Sequence, residues 1–242
     1  MLPNHDNIKV FSFDIFDTTV TRAVADPRDV FRLMQKTLSN DAFKEFPVSI
    51  RSNFAALRCK AALHARLEAL AQGKEDIGIV EIYKKLQSFC PLNETQCRQL
   101  MELEFQQELD CIYPVAWTIK EINNLRERNK RIVFSSDMYL PLEVIEKILI
   151  KTGAFVPSQD RIYLSNKVGA GKYNGKLFKY ILENEHCLPQ ELCHYGDDMH
   201  SDVYMPAKMG IRHFVLDDLQ RQKVLRFRHL ERIKDYFNKL FF

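Results

Sequence analysis

Five short apolar runs recur along the chain: IKVFSFD (8–14), RIVFSS (131–136), RIYLS (161–165), LCHYG (192–196) and IRHFVL (211–216). Helical patterns, LEVIEKILIKTG, NGKLFKYILENE and DVYMPAKMG, separate the later ones. Short strands alternating with helices leave few solutions, because parallel neighbours need a crossover and the crossover helix must cover the sheet. The predicted class is α/β, a Rossmann-like parallel sheet core covered by helices. Ligands of such sheets gather at the carboxyl ends of the strands. Chemistry is to be sought there.

One long interval breaks this rhythm. Residues 1–130 contain two glycines, Gly73 and Gly78, and 131–242 contain six. Avoidance of glycine suits helices, where it costs about 1 kcal/mol relative to alanine. IRSNFAALRCKAALHARLEALAQG carries Ala and Leu at helical spacing and stops at Gly73. GIVEIYKKLQSFC and LNETQCRQLMELEFQQEL repeat the pattern, the second opening on Asn93 with Gln96 three residues later, a capping arrangement. The expected division is an all-helical domain, 25–112, inserted after the first strand, with 1–24 and 113–242 forming the sheet domain.

A net charge of +3 argues against a nucleic-acid partner, which needs a strongly basic face. The tail differs: seven Lys/Arg against two Asp/Glu over 219–242 give +5 there and −2 elsewhere. An amphipathic helix is expected over 218–240, with Val224, Phe227, Leu230 and Phe237 on its stripe and basic residues outside it. Its expected use is docking on the core or a second subunit, as in a homodimer, or peripheral attachment to an anionic membrane or acidic partner. No run approaches the ~20 apolar residues that span a bilayer. MLPNHDNIK lacks the basic lead and apolar stretch of a secretory signal, so a cytoplasmic location is expected. The six cysteines form no CxxC, and HCLPQELCH (186–194) reads as a helix-to-strand loop, so reduced thiols are expected rather than zinc ligands.

Four strand ends carry unusual polar groups. Asp14 closes the first run, Ser135 and Ser136 close the second, Lys172 lies in NKVGAGKYNGK after the third, and GDDMHSD after the fourth supplies Asp197, Asp198 and Asp202. A carboxylate nucleophile, a hydroxyl, an ammonium and a set of acids suit phosphoryl chemistry. The acids can hold a hard Mg²⁺ through oxygen, and cation and lysine together offset the anion that would repel an attacking carboxylate. GAGKYNGK (169–176) does not make a P-loop, because Leu177 stands where a metal-binding Ser or Thr is required.

In this order FDIFDTTVTR, FSSDMYLP, GKYNGKLFKYIL and YGDDMHSDVYMPAKMGI resemble the four motifs of the haloacid dehalogenase (HAD) superfamily. The helical insert falls where that family places its cap. DIFDT, SDMYLP and GDDMHSD further resemble a bacterial subgroup associated with surface-polysaccharide and glycosyltransferase machinery. The resemblance implies a Mg²⁺-dependent phosphatase acting on a small phosphate monoester, such as a sugar phosphate, through a phospho-aspartyl intermediate on Asp14. It implies that Ser135 binds the phosphoryl oxygens with Ser136 beside the substrate. Lys172, rather than Lys176, would stabilise the charge. Asp14, Asp197, Asp202 and the main-chain carbonyl of Phe16 would hold the metal. A basic pattern in the insert implies that Arg58 or Arg66 reaches the substrate, against the alternative of ion pairing with Glu104 and Glu108.

One departure bears on mechanism. Phosphatases of the family commonly place a second Asp two residues after the nucleophile as general acid/base, and here that residue is Phe16, with Asp17 one further on. Asp17 is thus either a substitute acid or a capping residue. A register with Asp17 as nucleophile, ahead of Thr19 and Thr21, resembles cation-pumping ATPases, but it would bury Asp14 within a strand at high cost. Halide displacement from carbon also stays open, as does a weakly catalytic phosphate-sensing module that partners a glycosyltransferase. Asp137 is expected to cap the following helix or order its loop, Asp198 to be either a metal ligand through water or an exposed loop carboxylate, and His200 to be structural or solvated.

Overall fold

The computed structural model describes residues 7–215, so the expected helix over 218–240 lies outside the described residues. The chain forms two compact units. The first takes in the residues up to Thr21, Tyr113–Met138 and the chain from Ile145 on; the second is Arg22–Ile112 with Tyr139–Val144.

In chain order the elements are β1 (Val10–Asp14), β2 (Val20–Arg22), α1 (Asp29–Leu38), α2 (Val48–Ala71), α3 (Ile79–Phe89), α4 (Glu94–Cys111), β3 (Ile112–Pro114) and α5 (Ala116–Glu127). They continue with β4 (Arg131–Ser136), α6 (Leu142–Lys151), β5 (Arg161–Leu164), α7 (Ser165–Val168), α8 (Lys176–Asn184), β6 (Leu192–Gly196), α9 (Met205–Lys208) and β7 (Arg212–Val215).

The first unit is built on a five-stranded parallel sheet in the order β5-β4-β1-β6-β7. This is a Rossmann-like α/β fold. Strand β1 is buried along its whole length, as a central parallel strand covered on both faces must be. Alternation sends Val10, Ser12 and Asp14 to one face. On that face α8 and α9 pack a core of Val10, Val133, Leu177, Phe178, Ile181 and Met205. The opposite face carries Phe13, whose ring stacks on Tyr195 at 4.6 Å, and Trp117 of α5 lies 6.2 Å from Tyr195. Pairing of Asp14 with Ser135, and of Phe13 with Tyr195, brings the tips of β1, β4 and β6 to one edge. Strands β2 and β3, which the apolar pattern does not announce, form a two-stranded sheet where the chain passes between the units.

The second unit is helical. Asn93 caps α4 in the expected way: its side chain accepts from the Gln96 N–H at 2.8 Å and Gln96 returns the contact at 3.1 Å. Residues 139–144 belong to this unit in addition to the expected insert, and the Ile79 N–H donates to the Tyr139 carbonyl at 3.0 Å. At its centre Arg58 is fully buried. Its Nε and Nη2 donate to both Glu104 oxygens at 2.8 and 2.7 Å, and rings of Phe31, Tyr139 and Tyr83 lie 4.7, 5.0 and 5.4 Å from the guanidinium. Arg58, expected to reach the substrate, is paired here with Glu104 through Nε and Nη2, and its Nη1 has no hydrogen-bond partner among the described residues. Its charge is matched by Glu104 and its faces by aromatic rings, so it ties helices together. Glu108 pairs with Arg22 at 2.7 Å, a partner the sequence pattern did not single out, while exposed Arg66 lies 3.6 Å from Asp76. No helix among the described residues is long and apolar enough to cross a membrane.

Candidate active site

The site is assembled on the first unit, at the carboxyl edge of the sheet. Asp14 is the last residue of β1 and 6% exposed. The chain then turns sharply: the Thr19 and Val20 N–H groups donate to the Ile15 carbonyl at 3.0 and 2.8 Å, and the Thr19 hydroxyl donates to the Asp14 carbonyl at 2.6 Å. This is the reason for a threonine-rich sequence after the strand. Asp17 sits in that turn with φ +62°, a left-handed conformation that Asp tolerates better than most residues. Its Oδ1 accepts the Thr21 hydroxyl at 2.9 Å, which uses the carboxylate as an acceptor within its own turn. Phe16 precedes it, half-buried, in the same turn.

Lys172 arrives from the loop between α7 and α8. Its backbone N–H donates to both Asp137 carboxylate oxygens, at 2.9 and 3.0 Å, so Asp137 orders this loop. The buried ammonium lies 2.5 Å from Asp14 Oδ1 and 2.6 Å from Asp202 Oδ1. Lys176, by contrast, is the first residue of α8 and exposed. Asp202 lies in a short π-helical turn, Met199–Tyr204, that follows β6 in place of the expected α-helical start. Asp198 caps that turn by accepting from the N–H groups of His200 and Ser201 at 3.1 and 2.7 Å, and its own N–H donates to Asp202 Oδ2 at 3.1 Å. His200 sits between the Tyr173 and Tyr204 rings and contacts the Tyr173 carbonyl at 3.0 Å. Both Asp198 and His200 therefore serve the loop.

Asp14, Asp197 and Asp202 each offer an oxygen within 4.8 Å of the others. Three carboxyl groups gathered this closely offer the hard oxygen ligands that suit a divalent cation. The protonation balance carries the same mark. Burial, with Asp202 and Asp197 nearby, pushes the Asp14 carboxyl well above the usual carboxylate range despite Lys172. Burial would raise Asp202 too, but Lys172 and His194 more than offset it and hold Asp202 below that range. Burial alone would lower Lys172, yet Asp14 and Asp202 raise it, so the ammonium stays charged.

The two serines of β4 divide. Ser135 is level with Asp14, fully buried, and its Oγ lies 3.3 Å from that of Ser12. Ser136, the last residue of β4, is 4% exposed and its hydroxyl makes no hydrogen bond among the described residues, which leaves it available to a ligand. Sequence reasoning missed Ser12 and His194. Both were visible as polar residues inside apolar strands, Ser12 two places before Asp14 and therefore on its face.

Gly196 ends β6 where Asp202 folds back against the strand. A Cβ there would fall 2.3 Å from the Asp202 Cβ and Cγ. Gly196→Ala is therefore expected to displace Asp202. A loss of roughly 1–3 kcal/mol in thermal denaturation, with turnover falling alongside, is the expected outcome; an alanine variant with unaltered melting and turnover would contradict this packing.

No family model matches the chain, and no curated protein matches it in sequence. Solved structures match its fold. A 2-haloacid dehalogenase from Pseudomonas syringae pv. Tomato DC3000 superposes with a TM-score of 0.56 at 16% identity, over 85% of this chain and 85% of that one. A HAD family enzyme from Bacteroides thetaiotaomicron, in complex with magnesium and inorganic phosphate, superposes with a TM-score of 0.53 at 14% identity, over 86% of this chain and 93% of that one. An L-2-haloacid dehalogenase gives a TM-score of 0.57 at 13% identity, over 88% and 87%. The fold is thus one that HAD-family hydrolases use.

Proposed function

We propose that the chain is a Mg²⁺-dependent phosphatase that hydrolyses a small phosphate monoester, a sugar phosphate or related metabolite, through a phospho-aspartyl intermediate on Asp14. The observation that carries this reading is the meeting of the Asp14, Asp197 and Asp202 carboxyl groups in one cluster, with a buried ammonium on two of them. Asp14, Asp197, Asp202 and the Phe16 carbonyl would hold the ion. When bound, it withdraws charge from the phosphoryl oxygens and offsets the carboxylates. Asp14 attacks phosphorus in line, Lys172 neutralises the oxygen it holds, and the Ser136 hydroxyl donates to a phosphoryl oxygen. The leaving oxygen takes its proton from water, because Asp17 is turned to Thr21. Water then cleaves the acyl phosphate. The helical unit is proposed as the cap that chooses the substrate and excludes bulk water.

A second reading is favoured by Phe16. With no acid at that position, Asp14 could attack carbon and release a halide, which leaves without a proton and needs no metal. A phosphate-sensing module that partners a glycosyltransferase is the reading suggested by the subgroup motifs, and the cytoplasm is its proposed location along with that of the enzyme. Turnover of p-nitrophenyl phosphate and of 2-chloropropionate, each with Mg²⁺ and with EDTA, separates the three. Phosphate release that requires Mg²⁺ is the expected result. Chloride release that persists in EDTA would replace the phosphatase by a halogen hydrolase, and phosphate binding without turnover of either compound would leave the sensing module.

A further inference from the structure

Strand β6 places an imidazole beneath the site, where packing alone would take an apolar side chain. His194 is fully buried, with the Phe178 ring edge-on at 4.8 Å. Its Nδ1 lies 3.0 Å from the Ser12 hydroxyl and its Nε2 3.0 Å from Asp202 Oδ1. An ionised carboxylate only accepts, so Nε2 carries the proton and the neutral ring accepts at Nδ1 from Ser12.

Asp202 is thereby held from three sides. Oδ1 receives Lys172 at 2.6 Å and His194 at 3.0 Å, and Oδ2 receives the Asp198 N–H at 3.1 Å. The lysine is flexible and its contact alone would not fix the carboxylate plane. The imidazole is rigid, seated in a central strand, and itself fixed by Ser12 of the neighbouring strand. We propose that His194 is a positioning residue: it orients Asp202, and through Asp202 it keeps the Lys172 ammonium on the Asp14 oxygen. This rests on the phosphatase reading only for its kinetic consequence, because the geometry concerns Lys172 whatever bond is broken.

Two substitutions in the full chain test it. His194→Leu keeps the volume roughly and removes the donor; His194→Gln supplies an amide N–H towards Asp202. In Leu, kcat on p-nitrophenyl phosphate with Mg²⁺ is expected to fall about 10- to 100-fold, the usual cost of losing a partner behind a site residue, with KM nearly unchanged. Gln is expected to recover most of the loss. The second readout needs no turnover: the Lys172 ammonium, held by two buried carboxylates, should give a slowly exchanging ¹H–¹⁵N resonance in the metal-free protein. That resonance should vanish in Leu and persist in Gln. Ser12→Ala, which leaves the imidazole but removes the donor that sets its tautomer, should shift both readouts in the Leu direction and covers the case of a Leu variant that does not fold. Normal kcat and an intact resonance in folded Leu, or in Ser12→Ala, would overturn the proposal, and so would a Gln variant as impaired as Leu. A wild-type protein inert towards every phosphate ester would sink the phosphatase reading, with the ammonium resonance left to judge His194.

Discussion

Asp14→Asn is expected to lower Mg²⁺-dependent turnover of p-nitrophenyl phosphate by about 10⁴-fold or more, the scale seen when a nucleophile is removed, and at the same time to make the metal-free protein more stable. The first effect follows from chemistry: a neutral amide at the tip of β1 does not form the phospho-enzyme. The second follows from the charge balance. Burial and the neighbouring carboxylates raise the Asp14 pKa above that of the unfolded chain. The native state therefore binds more protons than the unfolded state at pH values between the unfolded and native pKa, and stability falls as pH rises through that window. Asn does not titrate. The stability advantage of the variant should appear as pH rises above the unfolded carboxyl value of about 4, and be small in acid. Mg²⁺ acts on the wild type in the opposite direction, binding the ionised set and stabilising it by about 2.7 kcal/mol at a hundredfold excess over Kd, more at pH 8 than at pH 5. Thermal denaturation of both proteins at the two pH values, with and without Mg²⁺, measures all of this. A variant that retains robust turnover would remove Asp14 from the mechanism, and one whose metal-free form is less stable than wild type at pH 8 would contradict the charge argument.

Lys172→Met should be the most damaging single change to the metal-free protein. Methionine fills a similar volume but leaves Asp14 and Asp202, buried and 2.5 and 2.6 Å from the lost ammonium, without a counter-ion. Removing one partner from a buried ion pair costs about 3–5 kcal/mol, since the remaining charge stays desolvated. At this chain length that corresponds to a drop in Tm of roughly 10 °C. Turnover should fall by about 10²–10³-fold, as when one donor to a developing anion is lost. The double variant Asp14→Asn/Lys172→Met provides the control. It removes one carboxylate with the lysine, so its stability loss should be clearly smaller than that of Lys172→Met alone. Equal losses in the single and the double variant would mean that the pair is not coupled, and Lys172→Lys176 exchange of roles would show as full activity in the single variant.

Much of this architecture was written in local pattern. The strand ending at Asp14 announces itself because a fully buried parallel strand must be apolar up to the point where it meets solvent. The α4 cap was readable from Asn93 and Gln96 because capping is a contact between near neighbours in the chain. The same reasoning found Lys172 and Asp202 by their place after strand ends. It set Ser135 on the phosphoryl oxygens and Ser136 beside them, but which serine is turned to Ser12 depends on the register of β4 against β1. Nor could it decide Arg58: an arginine and a glutamate on two amphipathic helices serve equally as an internal pair or as ligands until the packing is known. The pair closed on itself, under three aromatic rings.

Short-range order of apolar and polar residues was enough to establish the class of fold and the edge of the sheet where the acids lie, because secondary structure and strand burial follow from periodicity along a few residues. The meeting of residues 12, 14, 172, 194 and 202 within hydrogen-bonding reach was settled only when the strands took their order and register. Proton positions, ion pairing and room for a cation depend on distances through space between groups up to 182 residues apart, and no local pattern encodes those.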